Sequence, residues 1–155
     1  MTKSVQQTLL GTTLTSSVTT HNRLKKLAKV FGTSEDLISR LAISYSLQQG
    51  PLPKAWEPTH LEGAMEVLTG KSIRGKTMFK DDLALFLVML AHNEPQASLE
   101  DMRELFIGHW ERGIESLLQF HQGEDWVQLL NRLMQTSNKI RKFRRFCSSK
   151  ASYEH

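Results

Sequence analysis

The sequence predicts an all-α fold: a compact multi-helix single domain with a basic C-terminal helical tail. Three observations carry the prediction. Apolar residues recur at helical spacing through most of the chain beyond residue 22. Helix-opening pairs, Thr33 with Asp36 and Ser98 with Asp101, stand where those stretches begin, and Gly32, the "QQGPLP" run and Pro95 stand where they stop. No succession of alternating strands and no internal repeat is present.

The first 20 residues contain ten Ser/Thr and little periodicity, so residues 1–21 read as a flexible Ser/Thr-rich arm. Helical logic starts at Asn22. Leu24, Leu27, Ala28 and Phe31 form one apolar stripe, with Arg23, Lys25, Lys26 and Lys29 largely off it. After Gly32, a second helix carries Leu37, Ile38, Leu41, Ala42 and Tyr45. Residues 50–80, with Pro51, Pro53 and Pro58, are the least regular and suit a short helix or a small hairpin. "DDLALFLVMLAHN" is apolar nearly all round, the pattern of a central buried helix, and has more apolar surface than a monomer this small readily covers. Leu99 to His121 keeps helical spacing, and a last helix opens near Glu124 and Asp125, whose charges suit its N-terminus.

Composition narrows the function. Charge of 23% and hydrophobic content of 39% are those of a soluble globular protein, and the longest apolar run, Leu83 to Ala91, is far shorter than a membrane span. Without a long apolar stretch near the start, and with one cysteine, Cys147, the chain is expected in the cytoplasm. The net charge of +4 is unevenly spread: residues 1–40 carry six Lys/Arg against two acids, 41–131 seven against thirteen, and 132–150 seven against none. Basic ends flanking an acidic middle suggest a polyanion partner, with nucleic acid the commonest, although a solvated surface with a basic tail gives the same pattern.

One motif demands a test. "GKSIRGKT", residues 70–77, matches the written form of a phosphate-binding loop, with Gly70, Gly75, Lys76 and Thr77 in place. Such a loop works between a buried strand and a helix of a parallel sheet, with an acid on another strand to hold Mg²⁺. Everything after Asp81 reads helical, so that sheet is missing and nucleotide hydrolysis is not expected. Lys71, Arg74, Lys76 and Lys80 remain as a cluster able to meet phosphates electrostatically.

No catalytic grouping, metal-ligand spacing or cofactor motif emerges. The six histidines lack zinc-ligand spacing. His109 reads as a surface or core histidine, and Asp81 with Asp82 as partners of a helix dipole. In the tail, "NKIRKFRRFCSSK", Phe143 and Phe146 interleave with Arg141, Lys142, Arg144 and Arg145. Either the phenylalanines stack on bases while the cations meet phosphates, or Ile140, Phe143 and Cys147 extend a helical stripe and leave the cations outside; the second reading is favoured.

"LKKLAKVFGTSEDLISRLAISYSL" invites comparison with the helix pair of ribbon-helix-helix repressors, which also need an intertwined N-terminal strand that reads bases. "TLTSSVTT" has strand character but lacks base-reading side chains. A transcriptional regulator of that type is the alternative function, and a protein-binding adaptor a third.

Three stretches together carry a more specific resemblance: "RLKKLAKVFGTSEDLISRLAISYSLQQG", "IRGKTMFKDDLALFLVML" and "HWERGIESLL". Over about residues 17–121 the chain resembles the DndE family of bacterial DNA phosphorothioation, in which sulfur replaces a non-bridging backbone oxygen. The resemblance implies a small all-helical, non-catalytic subunit that forms homotetramers, binds DNA with a preference for nicked duplex, and works beside a desulfurase, a sulfurtransferase-like subunit and an ATPase. It places Lys25 at the family's DNA-contacting lysine, and Arg23, Lys26 and Lys29 join it by neighbourhood. Arg74, Lys76 and the tail cations Arg141, Lys142, Arg144 and Arg145 are further candidates. A glycine commonly stands in the family where this chain has Lys80. The expected organisation is an arm over 1–21, a DndE-like helical domain over 22–121, and a helix with basic tail over 122–155.

Overall fold

The computed structural model describes residues 3–135. The basic tail, with Arg141, Lys142, Arg144 and Arg145, lies outside the described residues. The chain divides into two units, Met1–Phe120 and His121–His155.

The first unit opens with structure where the composition predicts an arm. Ser4 and Gln7 form a reciprocal capping box that starts helix α1, Val5–Gly11. Strand β1, Thr13–Thr15, follows and pairs antiparallel with β2, Ser72–Arg74, in the register Thr13↔Arg74, Leu14↔Ile73 and Thr15↔Ser72. Leu14 and Ile73 point into the core while the other four side chains face out, so two short, Ser/Thr-rich segments gain a buried face only by pairing across 57 residues of sequence. Periodicity within either segment is too short to announce this. The pairing departs from the ribbon-helix-helix arrangement, whose N-terminal strand pairs with a second chain: here β1 has a partner in its own chain.

Helix α2, Val18–Phe31, starts a turn earlier than its apolar stripe suggests, because the Ser17 hydroxyl accepts from the Thr20 amide. It ends at Gly32, in the left-handed conformation that glycine adopts without strain (φ 60°). Ser34, not Thr33, caps α3, Glu35–Gln48, accepting from the Leu37 amide. Helix α4, Gly75–Phe79, continues directly from β2, and a turn of 3₁₀ helix at Lys80–Asp82 leads into α5, Leu83–Asn93. The Ser98–Asp101 reciprocal pair, in the form the sequence predicts, precedes α6, Met102–Phe120.

The most extensive helix packing joins α3 and α6. Gly113 makes it possible: a Cβ there would lie 1.9 Å from the Ala42 carbonyl oxygen. Ile38, Ala42 and Ile43 of α3, Phe106, Trp110, Ile114 and Leu117 of α6, and Leu24 and Leu27 of α2 are buried in the core. Phe79 stacks at a tilt against Phe86 and Phe106, with ring centroids 5.4 and 4.8 Å away, and ties α4 and α5 to that core.

Helix α5 is not buried all round. Leu83, Phe86 and Leu90 face the core, whereas Ala84, Leu85, Val88 and Ala91 are open, Leu85 by 60% and Val88 by 67%. In the second unit residues 126–135 are helical. Asp125 and Gln128 cap that helix reciprocally, and Glu124 pairs with Arg132.

Candidate nucleic-acid interface

Hydrogen bonding sorts the cations into those the fold consumes and those it leaves available. Asn22, Lys26 and Lys29 recur at i, i+4 and i+7 on one side of α2. The irregular segment between α3 and β2 covers only the beginning of that side. Asn22 Oδ1 accepts from the amides of Glu66 and Val67 (2.7 and 3.0 Å), its Nδ2 donates to the Val67 carbonyl, and His21 Nδ1 meets the Thr69 carbonyl at 2.7 Å. Beyond that cover, Lys26 and Lys29 are exposed and Lys25 is partly so. None of the three has an acidic partner among the described residues, where the ion pairs join other groups.

Arg23 departs from this group. Its Nη1 lies 3.1 Å from Glu115 Oε2, and its Nη2 donates to the Thr59 carbonyl and hydroxyl, both at 2.9 Å. It is 6% exposed, so its guanidinium holds the loop to α6 and faces no phosphate. A position off the apolar stripe predicts solvent only where no other segment packs over it. Here one does.

Arg74 and Lys76 are exposed and likewise without an acidic partner among the described residues, while Lys71 is held by Glu35 at 2.7 Å. The backbone of "GKSIRGKT" is turned inward. The Lys71 amide donates to Ser16 Oγ (3.0 Å) and the Gly75 amide to the Thr12 carbonyl (2.8 Å). A Cβ at Gly70 would meet Ser16 O at 1.9 Å, and one at Gly75 would meet Leu9 O at 1.8 Å. The two glycines of the motif admit neighbouring backbone, and these amides cannot wrap a phosphate.

His109 is a core histidine. It is fully buried, and its neighbours fix its proton: the Glu94 carboxylate can only accept, so Nε2 carries the proton of the neutral ring and Nδ1 accepts from the Ser46 hydroxyl (2.9 Å), whose oxygen in turn accepts from Arg112 Nε (2.8 Å). Nε2 then donates to Glu94 Oε1 at 3.2 Å. Burial first, and the Arg112 charge second, lower its pKa from 6.5 to about 4, against the opposing pull of Glu94. Serine, histidine and glutamate adjoin as in a hydrolase triad, but Ser46 is sealed in the core and the guanidinium occupies its oxygen. Arg112 also donates to the carbonyls of Ser46, Gly50 and Pro51, so the cluster locks the end of α3 to α6. Beside it lies a groove of about 670 Å³ bordered by Leu52, Trp56, Pro95 and Leu105. The acids that line it are engaged, Glu94 by the Leu52 amide, Asp101 by Ser98 and Glu104 by Arg103. Among the described residues no group of three or more His, Cys, Asp or Glu side chains is arranged to hold a metal, and no helix is long and apolar enough to cross a membrane.

These features define the class first: a small, mostly helical protein with a two-stranded ribbon, a buried polar cluster around His109 and Arg112, and exposed cations outside it. Residues 14–124 match the family model for DNA sulphur modification protein DndE, and the chain belongs to that family. Among solved structures it is similar to DndE from Escherichia coli B7A, a protein involved in DNA phosphorothioation modification, with 23% identity and a TM-score of 0.53 over 70% of this chain and 97% of that one. No curated relative matches the sequence.

Proposed function

We propose that the chain is a non-catalytic, DNA-binding subunit of a cytoplasmic phosphorothioation complex that grips the DNA backbone with α2 and prefers nicked duplex. Family membership supplies the process, and the observation that carries the DNA reading is the set of free lysines Lys25, Lys26 and Lys29 on one helix. Each gains by displacing condensed counterions from a phosphate, a sequence-independent interaction. The open apolar face of α5 supports assembly into an oligomer, four subunits by the family resemblance, which would multiply the lysine patches offered to one duplex. Sulfurtransferase-like and ATPase subunits would do the chemistry on the strand this subunit holds, and no cofactor of its own is required.

The test compares intact, nicked and single-stranded DNA of identical sequence across a salt series, with the unaltered chain and the Lys25→Ala/Lys26→Ala/Lys29→Ala variant. Tightest binding is expected on nicked duplex, with the slope of log affinity against log salt falling by roughly 0.9 for each phosphate that the variant no longer neutralises. A folded, assembled triple variant with unchanged affinity and slope would refute the assignment to α2. Binding confined to one palindromic sequence would refute backbone recognition.

A further inference from the structure

We propose that the exposed face of the β1–β2 ribbon, made of Thr13, Thr15, Ser72 and Arg74 and continued by Lys76, is a second contact for the sugar-phosphate backbone of duplex DNA, separate from the α2 lysines. The proposal rests on the DNA-binding reading above. Burial alternates along β2, with Ser72 and Arg74 exposed and Ile73 buried, and Lys76 is exposed in the first turn of α4 directly after it. This puts the Ser72 hydroxyl and the Arg74 guanidinium on one side of the strand, with the Lys76 cation two residues further along the chain. The register adds Thr13 beside Arg74 and Thr15 beside Ser72 on the same face.

The chemistry of that face is of one kind. Hydroxyl and guanidinium groups are the side chains that meet phosphate and sugar oxygens, and three small hydroxyls do not distinguish base edges. Thr15 Oγ1 and Ser72 Oγ share a single hydrogen bond of 2.9 Å, which uses one of their two protons and leaves the other for a phosphate oxygen. The Arg103 guanidinium donates to the Thr13 carbonyl at 2.9 Å through Nη2 and fixes that end of the ribbon to α6. The acids at the borders are already matched, Glu35 with Lys71 and Glu104 with Arg103. The platform is also rigid, since Leu14 and Ile73 anchor it from below and Gly70 and Gly75 press against the backbones of Ser16 and Leu9. A pre-set surface loses little conformational freedom on binding.

The experiment uses the full chain and a fluorescein-labelled nicked duplex, followed by anisotropy at rising salt. Arg74→Gln/Lys76→Gln should lower the salt slope by roughly two for each subunit that touches the duplex, at about 0.9 per phosphate. Thr13→Val/Ser72→Ala removes no charge, so affinity should fall about two- to tenfold with the slope unchanged. Thermal melts serve as the folding control; Arg74 and Lys76 make no side-chain bond among the described residues, so their variant should melt like the parent. Unchanged affinity and slope in Arg74→Gln/Lys76→Gln, while the α2 triple variant loses slope, would overturn the ribbon contact and leave the α2 reading standing. No salt-sensitive DNA binding by the unaltered chain would overturn both. Tight ATP binding abolished by the same pair of substitutions would also overturn it, by assigning the face to a free nucleotide.

Discussion

Replacing Arg23 by alanine separates a structural role from a DNA-contacting one, because the two predict opposite results. Arg23 and Glu115 are 6% and 11% exposed at their side chains, and both also bond to Thr59. Without the guanidinium, the Glu115 carboxylate keeps only the Thr59 amide at 3.0 Å, and two Thr59 oxygens lose their donor. Stranding one half of a buried pair costs about 3–5 kcal/mol, a large share of the roughly 10 kcal/mol expected for a domain of this size. Arg23→Met combined with Glu115→Leu should regain most of that loss, since it removes the stranded charge along with its partner. Urea unfolding followed by circular dichroism measures both, and a double-mutant cycle isolates the coupling. DNA affinity, measured where each variant is still folded, should keep its salt slope. If Arg23→Ala left the unfolding midpoint unchanged but cut the slope by about one, the buried-pair reasoning would be wrong.

Gly113→Ala gains about 1 kcal/mol of helix propensity, yet its Cβ would stand 1.9 Å from the Ala42 carbonyl oxygen, and a net destabilisation of about 2 kcal/mol should appear in the same urea assay. The folded-state pKa of His109, about 4, lies below the ordinary 6.5, so the unfolded chain binds the extra proton between these values; stability should fall by about 3 kcal/mol as pH drops through that window, and His109→Gln should remove that part of the slope. Lys80 sits at φ 47°, ψ −127°, a region that favours glycine, so Lys80→Gly should raise the unfolding free energy by about 1 kcal/mol while Lys80→Ala does not. Charging the open face of α5 with Leu85→Lys/Val88→Lys should yield monomers in sedimentation velocity; a native oligomer that persists unchanged would place the subunit interface elsewhere.

The helices were legible wherever one face alone had to be buried. The stripe Leu24, Leu27, Ala28 and Phe31, the Ser98–Asp101 pair and the Gly32 stop each express a local rule, and α2, α6 and the turn after α2 follow from them. Legibility failed where burial came from distant chain. Thr13–Thr15 becomes a strand because Ser72–Arg74 lies beside it, and Arg23 leaves the surface because Thr59 folds over it. The same cause divides the candidate site: four cations from the middle to the last turn of α2 look alike in composition, but an irregular loop covers the first and stops before the others. The exposed hydroxyls of the ribbon did have a signal. In "SIRGK" the apolar Ile73 and the side-chain-free Gly75 alternate with polar residues, a period of two inside a stretch read for its phosphate-loop letters.

Those letters illustrate how one pattern serves two kinds of physics. In a nucleotide-binding loop glycine is needed so that backbone N–H groups can close around phosphate. Here Gly70 and Gly75 are needed because carbonyl oxygens of Ser16 and Leu9 occupy the space a side chain would take, and amides of the same stretch already have partners at Ser16 and Thr12. The backbone can serve the fold or an anion, and in this chain it serves the fold. The side chains of the stretch that stand exposed are Ser72, Arg74, Lys76 and Thr77. Phosphate recognition through these side chains depends on charge, and salt competes with it, which is why salt slope and not nucleotide turnover is the measurement that reads it.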